Sequence, residues 1–235
     1  ADADRTGDRF LAANLRTYMS IVWLVRDTPE RAAKDINGIL YGWPADMYHV
    51  QHFFHLYARC EQALYTENPE TAFAAIRAER ARLASSGQLK VSGIRIENAW
   101  ISGRVALALA ESRTEEQRGP LLRLARRHAA LLRKSEHQVG VAMAAALEAG
   151  AIWLGTGVDR AQALGALDRA VATAETSGFS LLAEAGRWFL GEHAGGRRGE
   201  EMRMRSHRWL ADQGVQNPAR LAHMIAPGFR NDLPR

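Results

Sequence analysis

Three histidines, His49, His52 and His55, have the closest approach to metal-ligand spacing in this 235-residue chain. On a helix advancing ~100° per residue, His49 and His52 share a face, but His55 points ~120° away from His49. A single helix would have to be strained to bring all three onto one ion. Rings packed along a partly exposed helix beside Phe53, Phe54 and Tyr57 account for them better, and no metal is expected. The second candidate is a pair of arginines, Arg59 in Ala58-Arg59-Cys60 and Arg104 in Gly103-Arg104-Val105. Two guanidinium forks at corresponding helical positions could clamp a carboxylate or a phosphate. Ordinary surface or intra-solenoid salt bridging is the better expectation. Cys60 is the only cysteine, which excludes an intrachain disulfide and suits a core thiol in a reducing compartment.

Other catalytic signatures are missing. The sequence contains no GxxxxGK[ST] phosphate loop, no GxSxG elbow and no HExxH, and Glu136-His137 and Glu192-His193 do not extend into one. Kinase catalytic-loop and metal-binding triplets are absent too. Gly155-Thr156-Gly157 falls short of a dinucleotide fingerprint and reads as a turn between helices. No catalytic residue and no cofactor are therefore expected.

The elements that would carry these side chains are helical. Long segments rich in Ala, Leu, Arg and Glu dominate, strand signals are scarce, and 47% hydrophobic residues supply enough material for a continuous core. An internal repeat organises them. Leu24-Val25-Arg26-Asp27-Thr28-Pro29-Glu30-Arg31-Ala32 matches Leu64-Tyr65-Thr66-Glu67-Asn68-Pro69-Glu70-Thr71-Ala72 forty residues on. In both, a helix ends, a polar turn follows, and Thr28 or Asn68 caps a new helix with proline at its first position. A looser copy runs through Leu147, Gly150, Ala151 and Leu154, the turn Gly155-Thr156-Gly157-Val158-Asp159, then Ala163, Leu167 and Ala170. Small residues at Gly150, Ala151, Ala163 and Ala170 are expected where the two helices of a hairpin approach closely.

This pattern resembles tetratricopeptide repeats, with leucine at the usual aromatic positions. The expected fold is an all-α, tetratricopeptide-like solenoid occupying residues 1–235 as one domain. About five hairpins span roughly 8–40, 45–86, 90–133, 136–177 and 179–214, followed by a cap at 218–225 and an irregular tail at 226–229. Stacked hairpins bury faces that none can bury alone. In such a stack the first helices line a concave surface where partners dock. His52, His55, Arg59 and Glu61 are placed there in the second hairpin, and Glu97, Trp100 and Arg104 in the third.

Charge narrows the partners. The net charge is +5, carried almost entirely by arginine, with clusters at Arg123, Arg126, Arg127, Arg133, Lys134 and at Arg197, Arg198, Arg203, Arg205, Arg208. Nucleic acid is one reading, but aromatics are not interleaved with these residues as a single-strand binder requires, and acids are. Solvated helix faces are the better expectation. The six tryptophans are assigned mostly to packing. No apolar run reaches the ~18–20 residues of a membrane span. The first residues, Ala1-Asp2-Ala3-Asp4-Arg5, have neither initiator Met nor signal-peptide pattern, so a cytoplasmic piece of a longer protein is expected.

The closing stretch Trp209-Leu210-Ala211-Asp212-Gln213-Gly214-Val215-Gln216-Asn217-Pro218-Ala219-Arg220, with Met224-Ile225-Ala226-Pro227-Gly228-Phe229, resembles the C-terminal segment of large bacterial serine/threonine protein kinases. These occur in myxobacteria and planctomycetes and carry a kinase domain and an ATPase-like region ahead of helical repeats. Leu15-Arg16, Trp23-Leu24-Val25, Asp27 to Ala32, and Gln51-His52 with Leu64-Tyr65 are similar to the same proteins. The resemblance implies a parent that phosphorylates Ser or Thr and a fragment that senses or recruits a protein, a peptide or its own upstream domains. It carries no catalytic residue onto this chain. Related solenoids also close STAND-type regulators, where they sense small molecules; that is the alternative expectation.

Overall fold

The computed structural model describes residues 6–157 and 159–230; Ala1 to Arg5, and Val158 of the Gly155–Asp159 turn, lie outside the described residues. Every regular element among the described residues is helical: α1 (Arg9–Val25), α2 (Pro29–Gly38), α3 (Val50–Tyr65), α4 (Pro69–Ser85), a 3-10 turn Gln88–Lys90, α5 (Ser92–Glu111), α6 (Glu115–Arg133), α7 (Gln138–Trp153), α8 (Arg160–Thr176), α9 (Ser180–Ala194), α10 (Gly196–Asp212) and α11 (Pro218–Ile225). The helices pair in chain order as five hairpins and a short cap, at the boundaries the repeat pattern predicts. α2 is short, at ten residues. Among the described residues no helix is long and apolar enough to cross a membrane.

The chain packs as two compact units, Ala1–Asn98 and Ala99–Arg235, and the division falls within α5. No composition break marks it in the sequence.

In the first unit the forty-residue repeat is conformationally exact enough to see in single bonds. Asp27 (φ 52°) and Glu67 (φ 57°) both adopt the left-handed region, which non-glycine residues enter rarely. Thr28 N–H then donates to the Trp23 carbonyl and Asn68 N–H to the Ala63 carbonyl, each at 2.8 Å. These bonds close the two helices alike. One cap follows expectation and the other does not. Asn68 accepts from Thr71 N–H, whereas the Thr28 hydroxyl turns back and donates to the Trp23 carbonyl. Tyr65, at the end of α3, donates its hydroxyl to Asp27 Oδ1 at 2.8 Å and so ties one repeat's turn to the next. Phe53, Leu83 and Ile94 form a buried cluster under Tyr48, Val50, Phe54, Tyr57 and Leu89. Cys60 is fully buried, with its Sγ 3.8 Å from the Ala72 carbonyl, as a small hairpin position requires.

In the second unit glycine sets the closest approaches. A Cβ on Gly191 of α9 would lie 2.7 Å from the Gly199 carbonyl oxygen of α10, and one on Gly199 would lie 2.7 Å from the Gly191 oxygen. These two backbones touch because neither has a side chain. Ala151, Ala163 and Ala170 are buried as expected. Gly150 is also buried, but a Cβ there would meet Leu107 of α5 and the Pro227 carbonyl, so its missing side chain makes room for the chain's C-terminal segment.

Candidate functional site

In the first unit four of the candidate residues lie along α3 and Glu97 lies at the start of α5. His52 is buried and its Nδ1 accepts the His49 backbone N–H at 3.1 Å, so the ring finishes the helix N-terminus. The His49 and His52 rings stack with centroids 6.0 Å apart, and the His52 ring lies 5.3 Å from Tyr48. Burial, with the Arg82 charge nearby, pushes the His52 pKa down. His55 is half-buried, and burial with the Arg59 and His52 charges pushes it down to about 4. Arg59 is exposed and Glu61 buried. Glu97 is exposed, although burial of its carboxyl raises its pKa. No group of three or more His, Cys, Asp or Glu among the described residues has metal-holding geometry.

Trp100 and Arg104, in the second unit, belong to a different arrangement. Arg104 has no exposed surface, so it does not share the environment of Arg59. Its guanidinium lies 5.0 Å from the Trp100 ring and Nη1 donates to the Met224 carbonyl at 3.0 Å. That carbonyl sits in the last turn of α11, where helix carbonyls lack intrahelical donors. The arginine therefore caps α11.

Trp100, Arg104, Leu107 and Glu111 lie at i, i+4, i+7 and i+11, one stripe of α5. The stripe ends at Glu111, whose side chain is 4% exposed and holds the C-terminal segment with both oxygens. Oε1 accepts Gly228 N–H at 2.7 Å and Arg230 N–H at 3.2 Å. Oε2 lies 2.6 Å from His223 Nε2 on α11. One carboxylate thus binds two backbone amides of the tail and one side chain of the cap.

The rest of the seat comes from α7 and α9. His193 Nε2 lies 2.6 Å from the Phe229 carbonyl, and Trp153 Nε1 donates to the Arg230 carbonyl at 3.4 Å. The Phe229 ring is 1% exposed and lies 5.9 Å from Trp153 and 5.5 Å from Phe189. Trp153 in turn has His193 at 4.0 Å and the Arg160 guanidinium at 3.8 Å from its ring. Gly228 (φ 109°) passes Gly150 so closely that a Cβ on it would come within 3.0 Å of the Gly150 Cα.

Glu111 is the last residue of α5, Trp153 the last of α7 and His193 the penultimate residue of α9. They stand forty-two and then forty residues apart, near the repeat offset of the first two hairpins. The tail therefore crosses the ends of three successive first helices. Sequence reasoning placed Trp100 and Arg104 on a first-helix face but missed Glu111, Trp153, His193 and His223. The offset, carried on from the N-terminal pair, was the signal that could have found the first three.

Several arginines, in and beside the two clusters, are engaged within the fold. Arg126 donates to the Ala151 carbonyl at 3.1 Å, Arg133 pairs with Glu148, and Arg205 reaches Glu175 at 3.2 Å. Arg187 is buried between Glu184 and Glu175. No family model matches this chain, and no curated protein or solved structure is detectably similar to it.

Proposed function

We propose that this chain is a non-catalytic interaction module, a run of helical hairpins that recognises a peptide segment rather than transforming a substrate. One observation carries the reading. The first-helix side chains of the second unit already hold a stretch of polypeptide, binding it mainly through its main chain, as peptide-recognition surfaces do. The resemblance of the two ends of the chain to bacterial serine/threonine kinases supports a cytoplasmic setting in such a kinase or a related signalling ATPase. There the module would recruit a partner or contact upstream domains. Small-molecule sensing finds less support, because Arg104, one of the two arginines offered for a ligand, has no exposed surface and donates to the Met224 carbonyl.

Affinity capture with the immobilised chain, paired with sedimentation of the free chain, tests this. The expected result is saturable retention of a protein partner, or self-association, together with no phosphotransfer from ATP. A chain that captures nothing and sediments as a monomer at all concentrations would count against the proposal.

A further inference from the structure

The geometry points to an exchangeable peptide groove. We propose that the ends of α5, α7 and α9 form a seat that residues 226–230 occupy in cis. A partner segment with a glycine followed by an aromatic residue can take their place. This deepens the interaction-module reading, on which it rests, by naming the partner's chemistry.

Four features argue for exchange. First, Glu111, Trp153 and His193 all engage tail main-chain atoms, so any segment with the same backbone path presents the same donors and acceptors. Second, selectivity is confined to two positions. The Gly150–Gly228 approach admits only glycine, and the Phe229 site, walled by Trp153 and Phe189, selects an aromatic ring. Third, Glu111 divides its work between its oxygens. When the tail leaves, Oε1 becomes available for new amides while Oε2 keeps His223, so the carboxylate never becomes an isolated buried charge. Fourth, α11 has its own anchors, Arg104 on Met224 and a buried Leu221, so it can remain docked while the residues after Ile225 detach.

The test uses the full chain and a labelled synthetic peptide of residues 226–230, read by fluorescence anisotropy. The unaltered chain should bind weakly, because its tethered tail competes at high effective concentration. Phe229→Ala in the full chain should raise peptide affinity about tenfold or more. Adding Trp153→Ala, or placing Gly228→Ala in the peptide, should abolish that gain. No gain from Phe229→Ala would overturn the proposal. Hydrogen exchange on the unaltered chain covers the case in which the variant fails to fold. Gly228 and Arg230 amides should exchange well ahead of the buried amides of α7. If they exchange only with those amides, in global unfolding, the tail is a fixed part of the core and the groove does not open. Partner capture by other surfaces of the chain would be untouched by that result.

Discussion

Glu111 is where a single atom change should be most informative. Replacing it with alanine removes the acceptor of Gly228 N–H at 2.7 Å, Arg230 N–H at 3.2 Å and the partner of His223 at 2.6 Å. Gly228 is buried, so its N–H has no water to turn to. A hydrogen bond to a charged group is worth about 1.5–3 kcal/mol. Leaving a buried polar group unsatisfied costs about 1–3 kcal/mol, so with two amides and His223 losing their acceptor we take about 3–5 kcal/mol for Glu111→Ala. Glu111→Gln keeps an oxygen where Oε1 binds the two amides and places an NH2 opposite His223. That mismatch can be relieved by a change of imidazole tautomer, so a loss of about 1–2 kcal/mol is expected. Urea unfolding followed by circular dichroism measures the global part of each loss, which is capped by the docking free energy of the tail. Exchange at Gly228 is the more direct reading, since 3 kcal/mol corresponds to roughly a hundredfold faster opening. Equal effects of Ala and Gln, both under about 1 kcal/mol, with Gly228 exchange unchanged, would refute the carboxylate clamp.

Phe229→Ala should destabilise the tail by about 3–5 kcal/mol at most, visible as increased exposure of Trp153 fluorescence to quenchers, because the ring packed beside it is lost. Gly191→Ala should cost about 2 kcal/mol or more, since its Cβ would meet α10 backbone at 2.7 Å, whereas Gly165→Ala on α8 has only an arginine terminus 3.4 Å away and should stabilise by about 0.5–1 kcal/mol. Both are read from urea midpoints. Burial and the neighbouring Arg127 hold the His128 pKa at about 4, below its unfolded value of 6.5, and its Nδ1 is buried without a protein partner. The unfolded chain therefore takes up the proton first as pH falls below 6.5. Stability drops between pH 6.5 and about 4, by about 2 kcal/mol at pH 5 for this ring. His128→Gln should flatten that slope, and His55, also held at about 4, should act in the same direction with a similar amplitude.

Much of the architecture was legible because it is written in local signals. The Asp27-Thr28-Pro29 and Glu67-Asn68-Pro69 turns, the Gly195-Gly196 break and the proline at the head of α11 each set a boundary by backbone chemistry within a few residues. Helical spacing of small and large residues did the rest. The Thr28 cap failed because a hydroxyl has two nearby choices, the new helix ahead and the Trp23 carbonyl behind, and only the packed turn selects one.

The functional face was half legible for the opposite reason. Periodicity placed Trp100 and Arg104 on a first helix, but it could not say that Arg104 would be wholly buried while Arg59 stays in water. That difference depends on a segment one hundred and twenty residues away reaching Arg104. The same holds for Glu111, Trp153 and His193, ordinary residues in sequence, joined only when Met224 to Arg230 crosses three helix ends. The sequence by itself therefore determined the helices, their turns and the repeat, since these follow from nearest-neighbour sterics and hydrogen bonding. What the first-helix face holds was decided by tertiary structure alone. Burial and pairing of a charge are properties of the whole packed unit, and no local pattern encodes them.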